Sequence, residues 1–212
     1  MKLLPTFIRF IQLTSNKYNI DESHGLSHSM SVLHFANEIY QNTVSTAPHI
    51  KDQEPIIYTA ALLHDMCDNK YMDEQEGIKE IQSFLTYKLK YHEIQAVNDI
   101  ITTMSYSKVK KQGFPSLGKY QTAYHIVREA DLLSAYDIDR SIYYHLHKTN
   151  CGFVEAYDNA LQLFNKRVLQ HHNDDLFINE HSRKLGITLH EDALKKIKSW
   201  EKVIQTYDKL SF

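Results

Sequence analysis

The chain has 212 residues, 42% of them hydrophobic, and its 24 basic and 26 acidic side chains give a formal net charge of -2. That is enough apolar material for a real core, and the charge balance excludes a protein that grips nucleic acid through bulk electrostatics. Two cysteines, Cys67 and Cys151, cannot build a disulfide framework, so the reducing cytoplasm is the expected compartment.

Six glycines and four prolines are few for this length. With no alternating apolar run bounded by turn dipeptides, the chain reads as all-α. Helices are predicted over about 3–16, 25–42, 52–67, 73–88, 92–105, 119–136, 138–149, 153–172 and 188–208. The first, in MKLLPTFIRFIQL, begins like an export signal, but Pro5 and Arg9 interrupt the apolar run and no small-residue cleavage site follows. It is expected to be an amphipathic helix with Phe7, Phe10 and Ile11 on one side. No run approaches the roughly 18 apolar residues of a membrane span, and no membrane association is expected.

Further along, NIDESHG offers Asp21 and Ser23 as helix caps, and Pro48 and Pro55 punctuate TAPHIKDQEP. KVKKQGFPSLGK combines Gly113, Pro115 and Gly118 and reads as one long polar, basic surface loop near a mouth or interface. With no internal repeat and no interdomain linker, residues 1–212 are read as a single domain.

Thirteen histidines in 212 residues make a His-Asp dipeptide expected by chance about once, so the pair in TAALLHDMCDNKY carries meaning only through its setting. IIYTAALLHD is apolar nearly all round, which predicts a buried helix ending in His64 and Asp65. A buried imidazole beside a buried carboxylate costs several kcal/mol unless both are paired or bind a metal. HGLSHSMSVLHFA puts His28 on one helical face with Ser31, Val32 and Phe35, whereas His34 falls about 240° away. HIVREADLLSAYDI drops Asp131 between Ala130 and Leu132 in a third apolar helix. Two imidazoles and two carboxylates form a nitrogen and oxygen set suited to one divalent cation: Mn, Co, Ni, Fe, Zn or Mg.

His28, then His64-Asp65, then Asp131, each in its own helical context, resembles the H…HD…D order of the HD-domain superfamily of metal-dependent phosphohydrolases. The resemblance covers about residues 15–145. It implies a single HD-type helical bundle with the C-terminal helices 153–208 packed on it, and one metal held by His28, His64, Asp65 and Asp131. That metal would position a phosphate oxygen and lower the pKa of a water that attacks phosphorus. Asp68, three residues past Asp65 and so on nearly the same helical face, would orient that water, and Asp65 and Asp68 are the expected catalytic carboxylates. His24, Lys70, Lys108 and Arg128 are the expected substrate-binding groups, with Tyr106, Ser107 and Arg140 as weaker candidates.

The implied substrate is a small nucleotide, either a nucleoside monophosphate or a (deoxy)nucleoside triphosphate. A homodimer is compatible with this reading, and so is a non-catalytic module that binds metal and nucleotide. A second metal, as in di-iron oxygenases of the superfamily, would need further histidines between the HD pair and Asp131. That interval offers only His92 and His125, and His125 lies six residues from Asp131, on another face. Glu129, LLSAYDIDR and TMSYSK depart from the patterns of the small HD proteins that the chain otherwise resembles.

Overall fold

The structure, a computed structural model, describes residues 3–209, apart from the Asp208 side chain. The ends of the 1–212 reading, including Lys2 of the opening helix, lie outside these residues. All the regular elements described are helical, so the fold is an all-α bundle. They are α1 (Leu3–Tyr18), α2 (Leu26–Val44), α3 (Glu54–Leu63), α4 (Glu74–Leu85), α5 (Tyr91–Thr103), α6 (Tyr106–Gln112), α7 (Gln121–Ser134), α8 (Ile138–Thr149), α9 (Phe153–Lys166) and α10 (Glu180–Asp208), with three short 3-10 turns between them. None of the described helices is long and apolar enough to cross a membrane. The chain divides into two compact units, one ending at Ser134 and one beginning at Ala135.

The first unit is organised around α3. Ile56, Ile57 and the run from Thr59 to Leu63 are all buried, as an apolar pattern without a polar face requires. Helices α2, α5 and α7 pack against it. Ala60 and Ala61, both wholly inaccessible, keep these approaches close. Each fully buried Ile or Leu contributes roughly 1.5–3 kcal/mol, so this helix is a large part of the unit's stability. Helix α1 buries Phe7 and Ile11 as its periodicity predicts, and Phe10 stacks on Phe84 of α4 at 4.1 Å between ring centroids.

In the second unit α8 packs on α9 and α10. Asp137 caps α8 by accepting from Asp139 N, and Asn150 ends it in the left-handed conformation. Trp200 Nε1 donates to Asp139 Oδ1 at 2.8 Å, and Lys196 pairs with Asp137 and Asp139.

Four elements differ most from the sequence reading, among them α9, which ends at Lys166 rather than near 172. Half of the predicted basic loop is helix: α6 carries Lys108, Lys110 and Lys111 before Gly113 stops it at φ +75°. A seven-residue helix shows too little periodicity to be recognised. Helix α10 starts at Glu180 rather than near 188, because the Asn179 side chain accepts from His181 N and Ser182 N. Helix α3 stops at Leu63, so the HD pair lies in the turns that follow it.

Gly77 of α4 lies against those turns. A Cβ there would meet Cys67 Cα and Cβ at 2.7 Å and Met72 Sδ at 2.8 Å. Gly77→Ala is therefore expected to destabilise the protein by about 1–3 kcal/mol, as overpacking does, measured as a lower midpoint in urea unfolding.

Candidate metal centre

The apolar pattern of α3 makes the helix end where its backbone carbonyls need partners, and His64 supplies one. Its Nδ1 donates to Ala61 O at 2.9 Å, which locks the ring and turns Nε2 toward α2. There His28 Nε2 stands 3.0 Å away. Asp65 Oδ2 is 3.2 Å from His28 Nε2 and 3.4 Å from His64 Nε2. Asp131 Oδ1, from α7, is 3.4 and 3.7 Å from the same two nitrogens. Ser134 Oγ donates to Asp131 O at 2.7 Å and lies 3.5 Å from His28 Nδ1. Its proton is committed to the carbonyl, so the hydroxyl faces the imidazole as an acceptor.

These spacings suit a first coordination shell. With metal–ligand bonds of about 2.0–2.2 Å, neighbouring donors stand about 3.0 Å apart in an octahedron and about 3.4 Å apart in a tetrahedron. The buried His28, His64 and Asp65 cluster could hold a metal ion, and no other group of three or more His, Cys, Asp or Glu side chains comes together this way among the described residues. The imidazoles are 1% and 3% exposed, but the carboxylates of Asp65 and Asp131 keep 15% and 20%, so the centre opens on its carboxylate side.

Electrostatics also favour positive charge here. Burial works against a charged His64, but Asp65 and Asp131 outweigh it and lift its pKa to about 9. Burial likewise opposes ionisation of Asp65 and Asp131, yet the two imidazoles hold both carboxyl groups well below the usual range. Burial pushes the Cys67 thiol up to about 12, and Cys67 lies outside the cluster of His28, His64 and Asp65.

Beside His28 the structure brings three of the sequence candidates together. Lys70 Nζ is 3.1 Å from Asp68 Oδ2 and 2.9 Å from His24 Nε2. An ammonium can only donate, so His24 Nε2 accepts and the ring proton sits on Nδ1, 2.7 Å from Ser23 Oγ and 3.1 Å from Tyr71 Oη. Tyr71 in turn donates to Asp21 Oδ2 at 2.6 Å. His24 is 6.2 Å from His28 between ring centroids, so this network borders the His28–His64–Asp65 cluster.

The premise that Asp65 and Asp68 share a helical face needs correction. Asp65 lies in the turns after α3, and Asp68, just beyond them, is placed instead by accepting from Lys70 N at 2.9 Å. Asp21, read as a helix cap, accepts from Ser23 N; Gly25 occupies the N-cap of α2 without a side-chain bond.

Sequence reasoning missed Tyr71, one of 14 tyrosines with no pattern to single it out. Lys108 and Arg128 are engaged separately from the His24–Lys70–Asp68 network. Lys108 Nζ holds Glu74 at 2.6 Å and Thr102 O at 2.8 Å. Arg128 is buried in an ion pair with Glu129 at 3.0 Å. Tyr106 and Ser107 open α6, and Arg140 lies on α8 of the second unit. His92 is exposed, and His125 bonds to Gln121, as its position on another face implied.

No protein-family model matches the chain, and no curated protein does. Among solved structures, it is similar to a structural-genomics target from Lactobacillus plantarum at a TM-score of 0.68 and 18% identity, over 97% of this chain and 99% of that one. The likeness supports the helical fold and carries no activity with it.

His125 makes the first unit sensitive to acid. Burial, reinforced by the neighbouring Arg128, holds its pKa down to about 4. A folded-state pKa below the unfolded value of about 6.5 gives stability that is complete above pH 6.5 and lost as pH falls through 4. Unfolding free energy should therefore drop over that window, and His125→Gln should remove about 1–2 kcal/mol of the drop once partial exposure is discounted. Urea titrations at stepped pH measure both slopes.

Proposed function

We propose that this protein is an HD-type metal-dependent phosphohydrolase acting on a small nucleotide. The observation that carries the reading is the convergence of His28 Nε2, His64 Nε2, Asp65 Oδ2 and Asp131 Oδ1, from three separate segments, within 3.0–3.7 Å along the measured pairs. Two imidazoles and two carboxylates suit Mn, Co, Ni, Fe, Zn or Mg. When bound, such an ion offsets charge on a phosphoryl oxygen and makes water a better nucleophile at neutral pH.

The chain's own groups fit the remaining tasks. Asp68, joined through Lys70 to His24 beside His28, can orient an attacking water and take its proton as oxygen bonds to phosphorus and the leaving oxygen departs. Lys70 already carries its ammonium between Asp68 and His24, where an incoming phosphate oxygen can replace either partner. His24, held through Nδ1 by Ser23 and Tyr71, presents Nε2 as an acceptor, which a substrate hydroxyl can use once Lys70 turns to the phosphate.

Metal binding should stabilise the fold. Mn or Co at a hundred times its dissociation constant adds about 2.7 kcal/mol, read as a rise in melting temperature. His64→Ala should abolish that rise, and a stabilisation that persists in this variant would place the ion elsewhere.

Purified protein supplied with Mn, Co or Mg should release phosphate or pyrophosphate from a panel of nucleoside mono- and triphosphates. Asp65→Ala should stop release, while Asp68→Asn should lower kcat by roughly 100-fold or more, the range of a lost general base. Hydrolysis that survives Asp65→Ala would sink the mechanism. Nucleotide binding without product across the panel would favour the non-catalytic module.

A further inference from the structure

Arg128 is 1% exposed, and its ion pair uses only part of it. Nη2 donates to Glu129 Oε1 at 3.0 Å, whereas Nε and Nη1 are buried without a hydrogen-bond partner. One turn earlier on the same helix, the Tyr124 hydroxyl is also buried without a partner. Three orphaned donor-bearing atoms on two neighbouring side chains of α7 are expensive, since each unmet donor costs more than a made bond returns. A buried Arg–Glu pair is itself often less stable than apolar residues of the same volume. A core built only for stability would place leucines here.

The surroundings form a cover and a floor. The guanidinium carbon lies 4.7 Å from the centroid of the Phe114 ring and 6.0 Å from that of Tyr124. Tyr124 is fully inaccessible, but Phe114 is 40% exposed and follows Gly113, at φ +75°. Phe114 also meets His125 edge-on at 5.1 Å. Lifting this one side chain would expose the guanidinium face, beside a segment that carries Lys110, Lys111 and Lys119.

We propose that Arg128 and the Tyr124 hydroxyl form an anion-binding subsite under Phe114, which takes a second phosphoryl group of the substrate. Nε–H and Nη1 point to opposite edges of the guanidinium, so one phosphoryl group takes an N–H from one edge with one of its oxygens and the Tyr124 hydroxyl with another. Arg128 precedes Asp131 by three residues, which sets the two about one turn, roughly 5 Å, apart along the same side of α7. A phosphoryl chain can reach across that spacing, so groups held at the His28–His64–Asp65 cluster and at Arg128 can belong to one polyphosphate. Resting on the phosphohydrolase reading, the subsite selects nucleoside di- or triphosphates over monophosphates.

The test titrates inorganic phosphate into the full chain, kept metal-free with a chelator, while following the nitrogen resonance of the Arg128 Nε–H. The signal should shift and saturate. Tyr124→Phe, which keeps the ring and removes only the hydroxyl, should weaken binding roughly five-fold, and Phe114→Ala should tighten it several-fold by removing the cover. An unmoved Arg128 signal, or a shift indifferent to both variants, overturns the subsite. In the Mn-loaded protein, Tyr124→Phe should lower kcat/KM for a triphosphate more than for a monophosphate. Hydrolysis with a silent Arg128 would defeat the subsite and leave the phosphohydrolase reading intact; a responsive Arg128 without any hydrolysis would do the reverse.

Discussion

Two imidazole nitrogens, His28 Nε2 and His64 Nε2, are held 3.0 Å apart in a nearly dry interior, with the carboxylates of Asp65 and Asp131 against them. Two lone pairs at that distance repel, so a proton or a metal cation has to lie among the four groups. The rest of the first unit makes this arrangement unavoidable. His64 cannot swing away, because its other nitrogen is committed to Ala61 O. His28 and Asp131 come from α2 and α7, and both helices pack against α3, where Ala60 and Ala61 are fully covered. The apolar packing that stabilises the unit is thus also what concentrates negative charge around two buried bases.

Polar groups near this centre fall into two kinds. In one, Asp21, Tyr71, His24, Lys70 and Asp68 are joined by contacts of 2.6–3.1 Å, and every link has a partner suited to its donor or acceptor role. Such a network fixes orientation at little cost, because it remains partly hydrated. Arg128 and Tyr124 are the opposite case. They are buried more completely, yet leave donor-bearing atoms unmet. Networks of the first kind position groups, whereas unmet donors of the second kind store a need that an anion can satisfy.

Much of the buried histidine and aspartate cluster was legible in the residues. His28, His64-Asp65 and Asp131 each interrupt an apolar helical pattern where leucine would pack better, and interruptions of that kind survive uncertainty about helix ends. The all-α class was equally legible, from the scarcity of glycine and proline and the absence of alternating strands. Local geometry was less so. Asp68 appeared to share a helical face with Asp65, but α3 ends at Leu63, and a run of turns has no 3.6-residue period to extrapolate. Helix α6 escaped notice because seven residues with three lysines show almost no apolar face. Asn179 began α10 eight residues early through two backbone hydrogen bonds that a smoothed pattern cannot display.

The sequence by itself determined which residues must be buried and which of those are costly to bury, since periodicity and side-chain chemistry are local properties. It therefore determined the helical class and the four ligand-type side chains. Only the tertiary structure decided which costly groups meet. Whether Lys70 faces His24, whether Tyr71 orders Asp21, and whether Arg128 spends its donors on Glu129 or keeps two of them unmet all depend on contacts between residues up to 50 positions apart. Such contacts are set by how whole helices pack, and no pattern along the chain encodes them.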